Sequence, residues 1–239
     1  MAADQNNRTA DQNNRTLRSD GAAALSDSRP DYAYTAGEEL FNWLTHGIGA
    51  VLSLAGLVVL VVLASRQGSV RGIVSYSIYG LSLVVLYASS TLYHSAGSEK
   101  ARNILRIVDH ATIYLLIAGS YTPITLIALQ GAWGWSLLGV VWGLAILGIV
   151  LKLTSLEKTK TLSMTLYFLM GWLVVIAAKP MLAMVAPQLL VLMLAGGLFY
   201  TLGIIFYAAK KIPFNHGIWH LFVLAGSACH FIGFLLYLT

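Results

Sequence analysis

From about residue 38 onward the chain alternates between long apolar runs and short polar breaks. Seven runs lie near residues 39–64, 71–95, 104–128, 133–153, 162–181, 187–209 and 216–238. Each approaches the roughly 20 residues that a helix needs to cross about 30 Å of hydrocarbon. The breaks read SRQGSV, SAGSEKARN, QGAWG, TSLEKTK, KPMLAMVAPQ and KKIPFN. Connections this short force consecutive helices to run antiparallel. The fifth break is the least defined, because MLAMVA is apolar enough to lengthen either neighbouring helix. The pattern predicts an all-α membrane protein, a bundle of seven transmembrane helices over residues 36–239.

The first 35 residues follow another pattern. Residues 3–9 read ADQNNRT, and residues 10–16 repeat them letter for letter. A polar, repetitive segment cannot bury enough apolar surface to offset its ordering entropy, so a disordered tail is expected here. It lacks the charged start and apolar stretch of a signal peptide. Two glycosylation-type matches, Asn7-Arg8-Thr9 and Asn14-Arg15-Thr16, read as accidents of the repeat.

Composition agrees with a lipid environment. Hydrophobic residues make up 57% of the chain and charged residues 10%, against about 25% charged in soluble domains. The basic balance does not suggest nucleic acid, because the cations lie in short loops where they set orientation. With seven spans, the tail and the second, fourth and sixth breaks share one side. Nine cations lie around the helix ends there, counting Arg29 of the tail: Arg29, Lys100, Arg102, Arg106, Lys152, Lys158, Lys160, Lys210 and Lys211. The other side has three, Arg66, Arg71 and Lys179. The N-terminus is therefore expected in the cytoplasm and the C-terminus outside. The single cysteine, Cys229, excludes an intramolecular disulfide and reads as packing. Gly139 and Gly143 have the spacing that permits close helix approach. Pro123 is expected to kink the third helix. Trp133 and Trp135 fit interfacial anchors.

All six histidines fall in or at the ends of the spans: His46, His94, His110, His216, His220 and His230. Ionisable residues inside a membrane are costly and face the bundle interior. Helix direction places His94 at the end of the second span and Asp109 and His110 early in the third. Glu39, Asn42 and His46 enter the first, and His216 opens the seventh. All reach one layer on the cytoplasmic side, while His230 lies about 15 Å beyond His220 along the axis. His216 and His220 are four residues apart, so both rings project from one helix face. That spacing lets two imidazoles share a metal, although the intervening Gly-Ile-Trp lacks a glutamate. His94 offers a third ligand, and Asp109 is the acid at the right depth to accept a proton from water. Three protein ligands and one open position are the pattern of catalytic zinc. Competing readings remain open. The His pair could join helices by hydrogen bonds, Asp109 could pair with Arg106, and His46 or His110 could serve as ligands on depth alone. Glu39, Asn42 and His46 form one stripe, read as support for ligands or as helix packing. His230 and Ser227 read as an interhelical hydrogen-bonding pair.

Four blocks together resemble the hemolysin III branch of the progestin and adipoQ receptor family, which also contains the adiponectin receptors. They are EELFNWLTHGIG at 38–49, SSTLYHS with Ser90 and His94, DHATIYLLIAGSYTP at 109–123, and HGIWH followed by CHF near the C-terminus. The resemblance covers about residues 36–239. It implies seven helices with a cytoplasmic N-terminus, and zinc held by His94, His216 and His220. It places Asp109 beside the site and Ser90 near it. The short tail and the end at Thr239 depart from the adiponectin receptors, so a hormone-receptor role does not carry over.

The expected function is zinc-dependent hydrolysis of a lipid amide or ester in a bacterial cell membrane, serving lipid homeostasis. The expected partners are membrane lipids. The alternatives are a membrane-state regulator with structural zinc, a pore-forming cytolysin and, more remotely, a bis-histidine haem protein.

Overall fold

The computed structural model describes residues 34–155 and 160–239. The repeated heptads, both glycosylation-type matches and Lys158 lie outside the described residues. Seven helices among those described are long and apolar enough to cross a membrane. They are α1 (Ala36–Arg66), α2 (Val70–Ser95), α3 (Glu99–Pro123), α4 (Gly131–Ser155), α5, α6 (Pro187–Ala208) and α7 (Asn215–Tyr237). The fifth span, α5, is composite: Lys160–Gly171, a 3-10 stretch Leu173–Ala177, and Ala178–Met184.

The helices begin and end where local chemistry directs. Ser69 caps α2 by accepting from the Gly72 amide at 3.0 Å. Ser98 caps α3 through the Ala101 amide at 3.3 Å. This cap starts α3 five residues before the apolar run at 104, because a capped polar turn is helical without being hydrophobic. The fifth linker is shorter than KPMLAMVAPQ suggested. MLAM belongs to α5, and only Val185 and Ala186 separate it from α6.

Pro123 acts differently from a mid-helix kink. It closes the α-helical part of α3, and Ile124–Ala128 continues as a π-helix. There the Leu129 amide donates to the Ile124 carbonyl at 2.8 Å. α5 breaks at Gly171–Trp172, and the Tyr121 hydroxyl from α3 repairs the break. It lies 2.8 Å from the Met170 carbonyl, 3.0 Å from the Gly171 carbonyl and 2.9 Å from the Val174 amide. One side chain thus satisfies both a donor and acceptors that a broken helix leaves over.

The bundle is inverted relative to a water-soluble core. Large apolar side chains such as Leu182 (75% exposed) and Val51 (70%) face outward. Asn42, His46, Ser75, Ser82, Ser90 and His220 are buried. This is how a helix bundle satisfies polar groups when its solvent is hydrocarbon. Gly139 and Gly143 do not pack as their spacing suggested, since a Cβ at either would meet nothing within 4 Å. Close approach occurs elsewhere. At Gly217 a Cβ would collide with the Phe41 ring, so glycine lets the start of α7 lie against α1.

Candidate metal centre

Two neighbouring helices fix the start of α7. The residue before it, Phe214, is left-handed (φ 57°), a costly conformation for a bulky residue. Its amide donates to Glu38 Oε1 of α1 at 3.0 Å, and its ring meets Phe41 edge-on. Asn215 donates to the Phe206 and Tyr207 carbonyls at the end of α6. These contacts set the rotation of α7, and with it the direction of His216 and His220.

His94, His216 and His220 come together as the sequence predicted. All three are buried, and one ring nitrogen from each lies within 4.8 Å of the others. The ring centroids are 5.0 Å apart for His94–His216, 5.3 Å for His94–His220 and 4.6 Å for His216–His220.

The hydrogen bonds assign the tautomers. His94 Nδ1 lies 2.6 Å from Glu39 Oε2, and Glu39 Oε1 accepts from Arg102 at 2.7 Å. An ionised carboxylate only accepts, so His94 Nδ1 carries the proton and the neutral ring has a bare Nε2. Carboxylate–histidine pairs of this kind orient metal ligands and raise their basicity. His220 Nδ1 lies 3.1 Å from Thr45 Oγ1. That hydroxyl has its own acceptors in the Phe41 and Asn42 carbonyls, at 2.9 and 3.0 Å. Thr45 therefore accepts from His220 Nδ1–H. His220 Nε2 is then a bare acceptor, buried and without a hydrogen-bond partner among the described residues.

The donor set fits a metal ion. His94 Nε2 faces His216 Nε2 at 3.1 Å. At that distance the bare His94 Nε2 faces either an N–H of His216 or a cation shared by both rings. Ligands of one tetrahedral zinc, each about 2.05 Å from the ion, stand about 3.3 Å apart. Three neutral imidazoles suit zinc and leave a fourth position free. No donor of the set is cysteine.

The other singled-out residues divide. Asp109 is buried, with Oδ2 3.7 Å from His110 Nδ1. Ser90 is buried near the Asp109 carboxylate, although its Oγ falls outside strict hydrogen-bond geometry. His110 stands outside the ligand cluster, with Nδ1 2.8 Å from the Arg106 carbonyl. His46 also stands outside it, stacked on His220 with centroids 3.4 Å apart and an interplanar angle of 11°. His230 and Ser227 do not bond to each other. His230 reaches the Met193 carbonyl, and Ser227 bonds to Tyr87 and Tyr200.

Sequence reasoning placed Glu39 in a supporting stripe but missed Thr45 and Arg102. Thr45 continues the buried face of Glu39, Asn42 and His46, and that continuation was its only signal.

Beside the cluster lies a cavity of about 470 Å³. Asp109, His46 and His216 line its metal-centre end and His230 lines it farther along α7. Between them the wall is chiefly apolar, including Ile117, Leu190, Leu194 and Val223.

Comparison with known proteins places these features in context. The model for the family described as haemolysin-III related matches residues 34–231. A Hemolysin-3 from Bacillus cereus is 46% identical over 200 residues, covering 84% of this chain and 91% of the relative. A Hemolysin-3 homolog from Bacillus subtilis (strain 168) is 48% identical over 204 residues, covering 85% and 96%. The monocyte to macrophage differentiation factor of Homo sapiens is 30% identical over 169 residues, covering 67% and 69%.

Proposed function

The chain belongs to the haemolysin-III-related family, and we propose that it is a zinc-dependent hydrolase of lipid amide or ester bonds. The observation that carries this reading is the adjacency of three convergent imidazoles to a cavity with an apolar wall and one buried carboxylate. We place the protein in the bacterial cell membrane, with the metal centre toward the cytoplasmic leaflet, where it adjusts lipid composition.

His94, His216 and His220 would hold the zinc. Zinc in such a site polarises a carbonyl and lowers the pKa of water to about 7. The chain supplies the remainder. Glu39 and Thr45 fix two ligand rings, so little reorganisation is needed when the site loads. The apolar wall takes an acyl chain and excludes bulk water from the reacting bond. Asp109 accepts the proton of the attacking water. Ser90 lies beside that carboxylate. Water adds across the acyl C–N or C–O bond, releasing a fatty acid and an amine or alcohol.

Metal analysis of purified protein tests the site. Wild type should carry about one zinc per chain, and His220→Ala should carry none while remaining folded. A folded, zinc-free wild type would sink the proposal. Asp109→Asn tests the chemistry: it should keep zinc and abolish lipid turnover.

A second reading has an observation of its own. The Glu39 web joins α1, α2 and α3, and the imidazoles add α7. Zinc there would clamp four helices in a membrane-state regulator. That reading predicts no turnover by wild type and no phenotype for Asp109→Asn.

A further inference from the structure

The histidine left out of the metal cluster sits farther along the same cavity. His230 is ten residues beyond His220, and it lines the cavity while only 5% exposed. Its Nε2 lies 3.3 Å from the Met193 carbonyl of α6. A carbonyl only accepts, so Nε2 carries the proton and Nδ1 of the neutral ring is a bare acceptor. Nδ1 is buried and has no hydrogen-bond partner among the described residues.

The neighbouring hydroxyls are engaged elsewhere. Tyr87 donates to Ser227 Oγ at 2.7 Å, and the Tyr200 hydroxyl pairs with the same oxygen at 2.9 Å. Tyr79 donates to the Ser227 carbonyl at 3.3 Å. The ring also occupies space that only glycine leaves open, since a Cβ at residue 196 would collide with His230 Nε2 and Cδ2. A buried acceptor without a donor is costly. Here it belongs to a residue of a chiefly apolar cavity wall, which suits a ligand that brings its own donor.

We propose that His230 is a subsite for a hydroxyl group carried along a bound acyl chain. The inference rests on the acyl-chain reading of the cavity given above. His230 lies about 15 Å from His220 along α7, the length of roughly twelve extended chain carbons. A hydroxyl near that position donates to Nδ1, whereas one several carbons nearer the carboxyl group does not reach it. The subsite makes the cavity selective for mid-chain hydroxy acyl groups over plain ones.

The test is equilibrium binding of stearate, 12-hydroxystearate and 7-hydroxystearate to the purified full-length protein in nanodiscs. It measures binding and needs no turnover. Wild type should bind 12-hydroxystearate about tenfold more tightly than stearate, with no such gain for 7-hydroxystearate, whose hydroxyl lies away from both ends. His230→Leu should erase the preference, read as the ratio of the 12-hydroxystearate and stearate affinities measured on the same variant. Equal binding of stearate and 12-hydroxystearate by wild type would overturn the subsite and leave the acyl cavity standing, as would a resident water on Nδ1. A preference that survives in His230→Leu also overturns it. Binding of none of the three acids defeats the acyl-chain reading, and the subsite falls with it. If His230→Leu does not fold, the positional preference of wild type decides alone.

Discussion

Glu39 serves two partners at once, with one carboxylate oxygen on His94 Nδ1 at 2.6 Å and the other on Arg102 at 2.7 Å. Arg102 fixes the carboxylate, the carboxylate fixes the imidazole, and the imidazole presents Nε2 to the cluster. Glu39→Gln keeps the shape and removes the charge that holds this order. Loss of such a partner lowers metal affinity about 10–100-fold. Titration with a competing chelator should show that loss for Glu39→Gln in a protein that still folds, while unchanged affinity would reduce Glu39 to a surface contact. At this scale the sequence was legible where depth and spacing both applied. His94, His216 and His220 share a layer, and the i,i+4 pair shares a face. Thr45 was not legible, because a helical threonine ordinarily bonds back to the preceding turn. It does so here, and its remaining lone pairs turn out to face His220. Arg102 was counted among the loop cations, where its specific partner on another helix could not be seen.

Among the helices, the clearest departures from hydropathy occur where a helix is irregular. α5 reads as one apolar run, yet it is three segments, because hydropathy does not register a backbone break. The break needs donors and acceptors for its loose ends, and Tyr121 of α3 supplies them. Tyr121→Phe removes the hydroxyl and leaves those buried groups unmatched, which costs about 1–3 kcal/mol. Thermal unfolding in detergent should report a lower midpoint for Tyr121→Phe, with zinc content unchanged, because the break lies away from the histidine cluster. A wild-type midpoint would mean that water or lipid satisfies the break. α3 was misjudged at both ends for related reasons. Its first turn is polar but capped, and Pro123 hands the chain to a π-helix.

Across the whole molecule, the seven spans were legible because each presents a full apolar face to lipid, a signal that survives uncertainty at helix ends. The leaflet proposed for the candidate metal centre rests on charge. Around the helix ends, the side where α1 begins carries the larger share of Lys and Arg, nine against three when Arg29 of the tail is counted. Such an excess marks the cytoplasmic side. A phosphatase reporter that is active only after export should therefore be active when fused after Thr239. It should be silent when fused after Lys211, in the connection between α6 and α7. That result puts His216, in the first turn of α7, beside the cytoplasmic leaflet and makes that leaflet the source of substrate. The opposite pattern would turn the centre outward, and the lipids open to hydrolysis would then be those of the outer leaflet.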